Sequence, residues 1–311
     1  GWPALGHVVE NAWLGSVLIS ELRKHPAIEW LNPAHVIDCL PGAEHATVVL
    51  EHNGQQKSLR TKLLAIADGA QSGLRARLNI GTREHDYRQQ AIIANVCCAK
   101  THRGWAYERF TDWGPMALLP LAAENSNEAR MALVWTMQPA QAQELLNNSD
   151  VDFLRALQQR FGYRQGNFIR VGQRFAYDLK LTAASEQVRR QIVLIGNAAH
   201  SLHPVAGQGF NLALRDVQRL AEIIAHAAVQ KEPIGELRIL RRYLDQQAAD
   251  QSRTLLFSDR ITALFEQPGL LVGGLRHFGL LALDLNTQLK NRFVDQTAGY
   301  HPGAALGHRA G

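Results

Sequence analysis

The stretch Gln191-Ile192-Val193-Leu194-Ile195-Gly196-Asn197-Ala198-Ala199-His200, continued through Pro204 to Gly207-Gln208-Gly209-Phe210-Asn211, decides how this chain folds. It opens on an apolar, β-branched run of the kind buried on both faces of a parallel sheet, and the run stops at Gly196. Beyond the turn, apolar residues at 210, 213, 214, 217, 220, 221, 224 and 228 recur at helical spacing, with Arg215, Asp216, Arg219 and Glu222 falling between them. A helix is therefore expected to start near Gly209. Its free N–H groups and positive dipole end would face the crevice at the carboxyl edge of the sheet, where open α/β sheets take their ligands. Glycines at 207 and 209 leave room for a flat ligand to approach the backbone, although a tight strand-to-helix turn also uses glycine for steric reasons alone.

A second strand-like run, Leu63-Leu64-Ala65-Ile66-Ala67, leads into Asp68-Gly69-Ala70-Gln71-Ser72-Gly73-Leu74-Arg75. Asp68 can accept hydrogen bonds from turn N–H groups and Ser72 can cap the segment that follows. Arg75 offers a planar cationic fork suited to phosphate. An Asp-Gly pair after a strand is also an ordinary turn.

Together these segments resemble the second and third cofactor motifs of the class A flavoprotein aromatic hydroxylases, DGxxSxxR and G(D/N)AAHxxxPxxGQGxN, matched here in order. Asn197, Leu202, Val205 and the early run Gly6-His7-Val8-Val9-Glu10-Asn11 are most similar to the ubiquinone-biosynthesis branch. The resemblance implies an α/β fold like that of para-hydroxybenzoate hydroxylase: a Rossmann-like FAD/NAD(P)-binding domain with an inserted mixed-sheet substrate domain. It implies FAD as cofactor, NAD(P)H as co-substrate, and hydroxylation of a polyprenylated phenol by O2 through a C4a-hydroperoxyflavin. It places Asn197 against the ribityl chain, Gly207, Gln208, Gly209, Phe210 and Asn211 beside the pyrimidine edge of the flavin, and Asp68, Gly69 and Arg75 in the pyrophosphate and nicotinamide region; Gly196 and Pro204 complete the cofactor set. Many relatives carry Asp where this chain has Asn197, which keeps a hydrogen-bonding group and removes a charge. The family's opening GxGxxG is absent from these 311 residues, so the expectation is a fragment lacking roughly the first quarter of a full-length enzyme, a figure from family analogy. The resemblance assigns no catalytic residue.

Composition bounds the alternatives. With 46% hydrophobic residues the chain can bury a sizeable core, which argues against disorder. A net charge of +5 is spread without a basic stripe interleaved with aromatics, so nucleic acid is not an expected partner. Cys39, Cys97 and Cys98 have no metal-ligand spacing, and a reducing cytoplasm suits them. His200 and His203 lack the further ligands a metal needs; none is expected, and His200 is expected to hydrogen-bond backbone within its turn. Gly269 to Leu283 is too short and too polar to span a bilayer. Leu270, Leu271, Leu275, Phe278, Leu281 and Leu285 form an amphipathic pattern that fits a helix packed on the core or a partner, or peripheral contact with the inner membrane.

The remaining pattern predicts a helix over 11–24 with Leu14, Val17, Leu18 and Leu22 on one face, then strands at 34–38, 46–51 and 57–66 with Asn53-Gly54 as a hairpin turn. Antiparallel strands follow at 91–99, 105–111, 116–121 and 130–137, a helix at 151–161, a strand at 167–176 and long helical patterns over 236–266. The expected domains are residues 1–80 and 178–295 for the cofactor, 81–177 for substrate and 296–311 as a flexible tail. Trp105, Tyr107, Phe110 and Trp113 could face an aromatic or prenyl substrate, though strand aromatics more often form sheet core, and Phe175 to Leu179 resembles the family's pocket-edge segment. Two other functions fit the same residues: hydroxylation of a small soluble aromatic, and a non-catalytic scaffold of a biosynthetic complex.

Overall fold

The computed structural model describes residues 6–122, 129–201 and 207–266, with side chains described to residue 256. The expectations for His203, Pro204, the 269–285 pattern and the 296–311 tail lie outside the described residues.

Helix α1 (Asn11–Leu22) precedes a three-stranded antiparallel sheet, β1 (Ala34–Leu40), β2 (Ala46–His52) and β3 (Gln55–Thr61). Asn53 and Gly54 join β2 to β3 with φ of 52° and 72°, the left-handed pair that a two-residue hairpin turn demands. The single strand expected over 57–66 is two. The hydroxyl of Thr61 donates to the Leu63 carbonyl at 2.7 Å, and the chain leaves this sheet to begin β4 (Leu64–Ile66) in another. The expected apolar face of α1 is not buried: Val17 and Leu18 are exposed, and no residue of the helix is buried.

After the short helix α2 (Gly73–Arg77), the chain enters the large sheet with β5 (Thr82–Cys98), followed by β6 (Tyr107–Phe110), β7 (Pro115–Pro120) and β8 (Ala129–Met137). Two helices, α3 (Pro139–Asn147) and α4 (Asp150–Phe161), lead on to β9 (Phe168–Val171) and β10 (Phe175–Ala184). The strand expected over 167–176 is thus divided between β9 and β10. The sheet has seven strands in the order β13, β10, β5, β8, β7, β6, with β9 also on β5 and β13 (His200–Ser201) at the edge. All of these pairings are antiparallel.

One face of this sheet is closed by α3 and α4. Ile92, Ala94, Met131, Leu133 and Trp135 from the strands pack with Ala142, Leu145, Phe153, Leu157 and Phe161 from the helices. The helix starts are specified locally: Pro139 occupies the first turn of α3, and Ser149 caps α4 by accepting from the Asp152 N–H at 3.2 Å. Tyr107 and Trp113 join this core, whereas Trp105 and Phe110 are exposed, so half of the expected aromatic core is on the surface.

A third sheet combines β4, β11 (Val188–Arg189) and β12 (Ile192–Leu194). Ile192 and Leu194 face a core shared with Leu74, Leu78 and Cys39. Val193 faces the opposite core with Leu220, Ile223, Ile239, Leu240 and Tyr243 of α5 (Gln208–Val229) and α6 (Leu237–Glu266). The run 191–195 is therefore buried on both faces, as its composition predicts.

Leu133→Ala removes a fully buried side chain between sheet and helices and is expected to cost about 2–5 kcal/mol in denaturant unfolding. Leu59→Ala, on exposed β3, should change it by no more than about 0.5 kcal/mol.

Candidate functional site

The site begins with one backbone pairing. β4 and β12 run parallel, with Leu64, Ala65 and Ile66 in register with Ile192, Val193 and Leu194. The Leu64 N–H donates to the Gln191 carbonyl at 2.8 Å and the Ile195 N–H to the Ile66 carbonyl at 3.0 Å. Both signature turns therefore leave the same carboxyl edge of the same sheet, Asp68-Gly69 from one strand and Gly196-Asn197 from the other.

In the first turn Gly69 has φ of +92° and Asp68 is exposed, its carboxylate accepting a long 3.5 Å contact from the Leu74 N–H. Ser72 caps α2 by accepting from the Arg75 N–H at 3.0 Å. Arg75 does something other than offer a free phosphate fork. Its guanidinium is buried and donates to the Ala198 carbonyl at 2.9 Å and the Ala70 carbonyl at 2.7 Å. It ties the first turn to the second, with its charge directed at peptide carbonyls.

The second turn is a single 3-10 turn, Gly196–Ala198, in which Asn197 is exposed while Ala198 and Ala199 are buried. Gly196 packs against α5, where a Cβ built on it would sit 3.8 Å from that of Ala213. Gly207, the residue before α5, has φ of +60°, and a Cβ there would meet no described atom within 4 Å. The backbone there is thus strained for any residue but glycine, and no atom of the described residues crowds it. The N–H groups of Gln208, Gly209, Phe210 and Asn211 form the first turn of a 22-residue helix, at the positive end of its dipole, and Phe210 and Asn211 are exposed beside it. The predicted residues of both motifs among those described are therefore gathered at one edge, and what they present fits a flat, anionic, hydroxyl-bearing cofactor such as FAD.

Beneath this turn lies a group that the sequence pattern misplaces. Asp216 falls off the apolar stripe read from the sequence, yet it is fully buried, while Phe210, Leu214 and Val217 of that stripe are exposed. The buried face of α5 is Leu212, Asp216, Leu220, Ile223 and Ala227, a second helical stripe interrupted by one carboxylate. His200, expected to bond backbone, instead places Nε2 2.5 Å from Asp216 Oδ2. The other oxygen, Oδ1, accepts from Gln247 Nε2 at 2.6 Å and Gln251 Nε2 at 3.0 Å, both on α6. Burial alone would raise the Asp216 carboxyl, but the hydrogen bonds and charge interactions from His200, with those of the two glutamines, outweigh it and hold the group below its ordinary value. Burial, with the adjacent Asp216 carboxylate, pushes the Tyr243 phenol upward.

A carboxyl whose folded value is depressed stabilises the fold above the unfolded value, about 3.9, and loses that contribution as pH falls through the lower folded value. Asp216→Asn is expected to remove this part of the acid limb, seen as a shallower loss of unfolding free energy below about pH 4.

Comparison with known proteins agrees with this geometry. Residues 28–240 match the family described as FAD binding domain. The chain is 36% identical over 307 residues to protein slr1300 of Synechocystis sp., covering 98% of this chain and 73% of that one. It is 34% identical over 296 residues to the ubiquinone hydroxylase UbiL of Rhodospirillum rubrum, covering 95% and 67%. Among solved structures, p-nitrophenol 4-monooxygenase PnpA from Pseudomonas putida DLL-E4 shares the fold at a TM-score of 0.73 and 18% identity, over 94% of this chain and 73% of that one. Two glycine turns on paired parallel strands, a helix N-terminus beside them and this family match lead to one conclusion: the chain belongs to the FAD-binding-domain family of flavoprotein monooxygenases.

Proposed function

We propose that the protein is an FAD-dependent monooxygenase that hydroxylates the phenolic ring of a polyprenylated ubiquinone precursor, of the 2-polyprenyl-6-methoxyphenol type. The observation that carries this reading is the convergence of the Asp68 and Gly196 turns at one sheet edge, fastened by Arg75. The identity to a ubiquinone hydroxylase supports the choice of substrate class.

A bound flavin would supply the hydride-accepting and O2-activating chemistry, with NAD(P)H as the reductant, one oxygen atom going to the ring and the other to water. The chain's own residues bind, orient and shield. Asn197, exposed on its turn, supplies a hydrogen-bonding amide for a ribityl hydroxyl. Gly207 lets the ring lie close to backbone, and the N–H groups opening α5 stabilise negative charge on the ring edge facing them. Asp68 and Gly69 serve the phosphate side.

The substrate reading draws on the large sheet. Its face opposite α3 and α4 carries Phe175, Ile93, Val134 and Ala117 in one row across four strands, beside Tyr177, Ala91 and Thr136. Phe175 and Tyr177 are exposed. An apolar wall with two aromatics along its β10 side suits a prenylated phenol. The core closed by α3 and α4 lies wholly within 81–177, which supports that block as the substrate domain and 1–80 with 178–295 as the cofactor domain. β10 crosses the boundary at 177 and carries the chain from one to the other. Contact with a biosynthetic complex or the membrane surface belongs to the same reading; among the described residues no helix is long and apolar enough to cross a membrane.

The purified protein should be yellow with flavin absorbance and should add one oxygen atom to a prenylated phenol in the presence of NAD(P)H, read by mass spectrometry. Gly207→Val should abolish the flavin absorbance. Flavin content unchanged in that variant would sink the placement, and turnover of small soluble phenols alone would overturn the substrate class.

A further inference from the structure

The turn Gly196–Ser201 is held at both ends, and both holds lead to α6. At its entry, the Leu194 N–H donates to the Gln187 carbonyl at 2.8 Å. At its exit, His200 sits 2.5 Å from Asp216. Gln251 of α6 joins the two: it donates to Asp216 Oδ1 at 3.0 Å and to Gln187 Oε1 at 3.2 Å, and its own carbonyl oxygen accepts from Gln187 Nε2 at 3.0 Å. Gln247 adds a second amide on the same carboxylate oxygen. His200, Asp216, Gln247 and Gln251 are each at most 6% exposed, so water does not compete for these bonds, and losing one leaves a buried polar group unsatisfied.

We propose that Asp216, Gln247 and Gln251 form a positioning unit that fixes the flavin-facing turn through His200 and Gln187, so that α6 sets how tightly the cofactor is held. The proposal rests on the flavin reading of the 196–211 segment. None of the three is assigned contact with the cofactor. Their effect is to keep Asn197 and the Gly196 backbone in one arrangement, so that binding does not have to order the turn.

The test uses the full protein and two readouts: the FAD dissociation constant, and hydrogen–deuterium exchange of the peptide covering 195–201 in the flavin-free protein. Asp216→Asn should weaken FAD about tenfold and Gln251→Leu about threefold, as expected for loss of one hydrogen bond to a charged group and of one shared bond, and both should speed exchange at 195–201 while β5 and β8 stay protected. Leu240→Ala, in the apolar core between α5 and α6, should lower the unfolding midpoint and leave FAD affinity and exchange at 195–201 unchanged, which separates positioning from general stability. If Asp216→Asn does not fold, Gln251→Leu decides. FAD affinity within twofold and unaltered exchange in the folded variants would overturn the proposal. If the parent protein binds no FAD, the flavin reading fails, and the exchange arm still decides whether the unit holds the turn.

Discussion

The parallel pairing of Leu64–Ile66 with Ile192–Leu194 is the constraint on which the rest of the molecule depends. A parallel pair cannot be closed by a tight turn, and here the connection carries every strand of the large sheet but β13, together with its two covering helices. What looks in sequence like an inserted block is, physically, a crossover long enough to fold on its own core. Because the ladder aligns the strands residue by residue, it also fixes which turn residues become neighbours. A slip by one position would turn Val193 from the α5–α6 core toward the α2 side and separate Gly196 from the Asp68 turn.

Two cationic or carboxylate groups near the crevice are spent internally. Arg75 is used up on two carbonyls, and Asp216 on an imidazole and two amides. Burying either alone would cost several kcal/mol. Asp216 is tolerated because both of its oxygens are hydrogen-bonded, Arg75 donates from both terminal nitrogens, and each fastens segments far apart in sequence. The turn atoms of Asn197 and Asp68 stay exposed, while the charged side chains beneath them are bonded within the protein.

Much of this was readable from residue order. The β-branched run at 191–195, the glycine at 207, the Ser72 cap and the Asn53-Gly54 hairpin each follow from a local rule, and the two turn motifs announced the family. What the order hid were the choices that depend on partners. Arg75 carries the same fork whether it meets phosphate or peptide carbonyl. Asp216 looks like an outward residue on a helical projection until Gln247 and Gln251, about one helical turn apart on another helix, are known to face it. The apolar residues of α1 and the Phe210, Leu214, Val217 stripe show the converse: apolar spacing marks a face that can be covered, and says nothing of where its cover comes from. The α3 helix has no counterpart among the elements expected from sequence; Pro139 stands in its first turn, where proline starts a helix.

The short strand β13 has a consequence of its own. His200 and Ser201 pair with Ala183 and Thr182 at the edge of the large sheet, immediately after the turn that emerges from the small parallel sheet. One stretch of backbone thus joins the large sheet to the turn that leaves the small parallel sheet, which on the proposed function are the substrate wall and the cofactor cradle. A ligand that tilted the large sheet would strain that shared stretch, and the turn would bear part of the free energy. Thermodynamic linkage then runs both ways: whatever factor substrate imposes on cofactor affinity, cofactor imposes on substrate affinity. On the proposed function, two occupants that need never touch would be linked through two residue pairs of β-ladder.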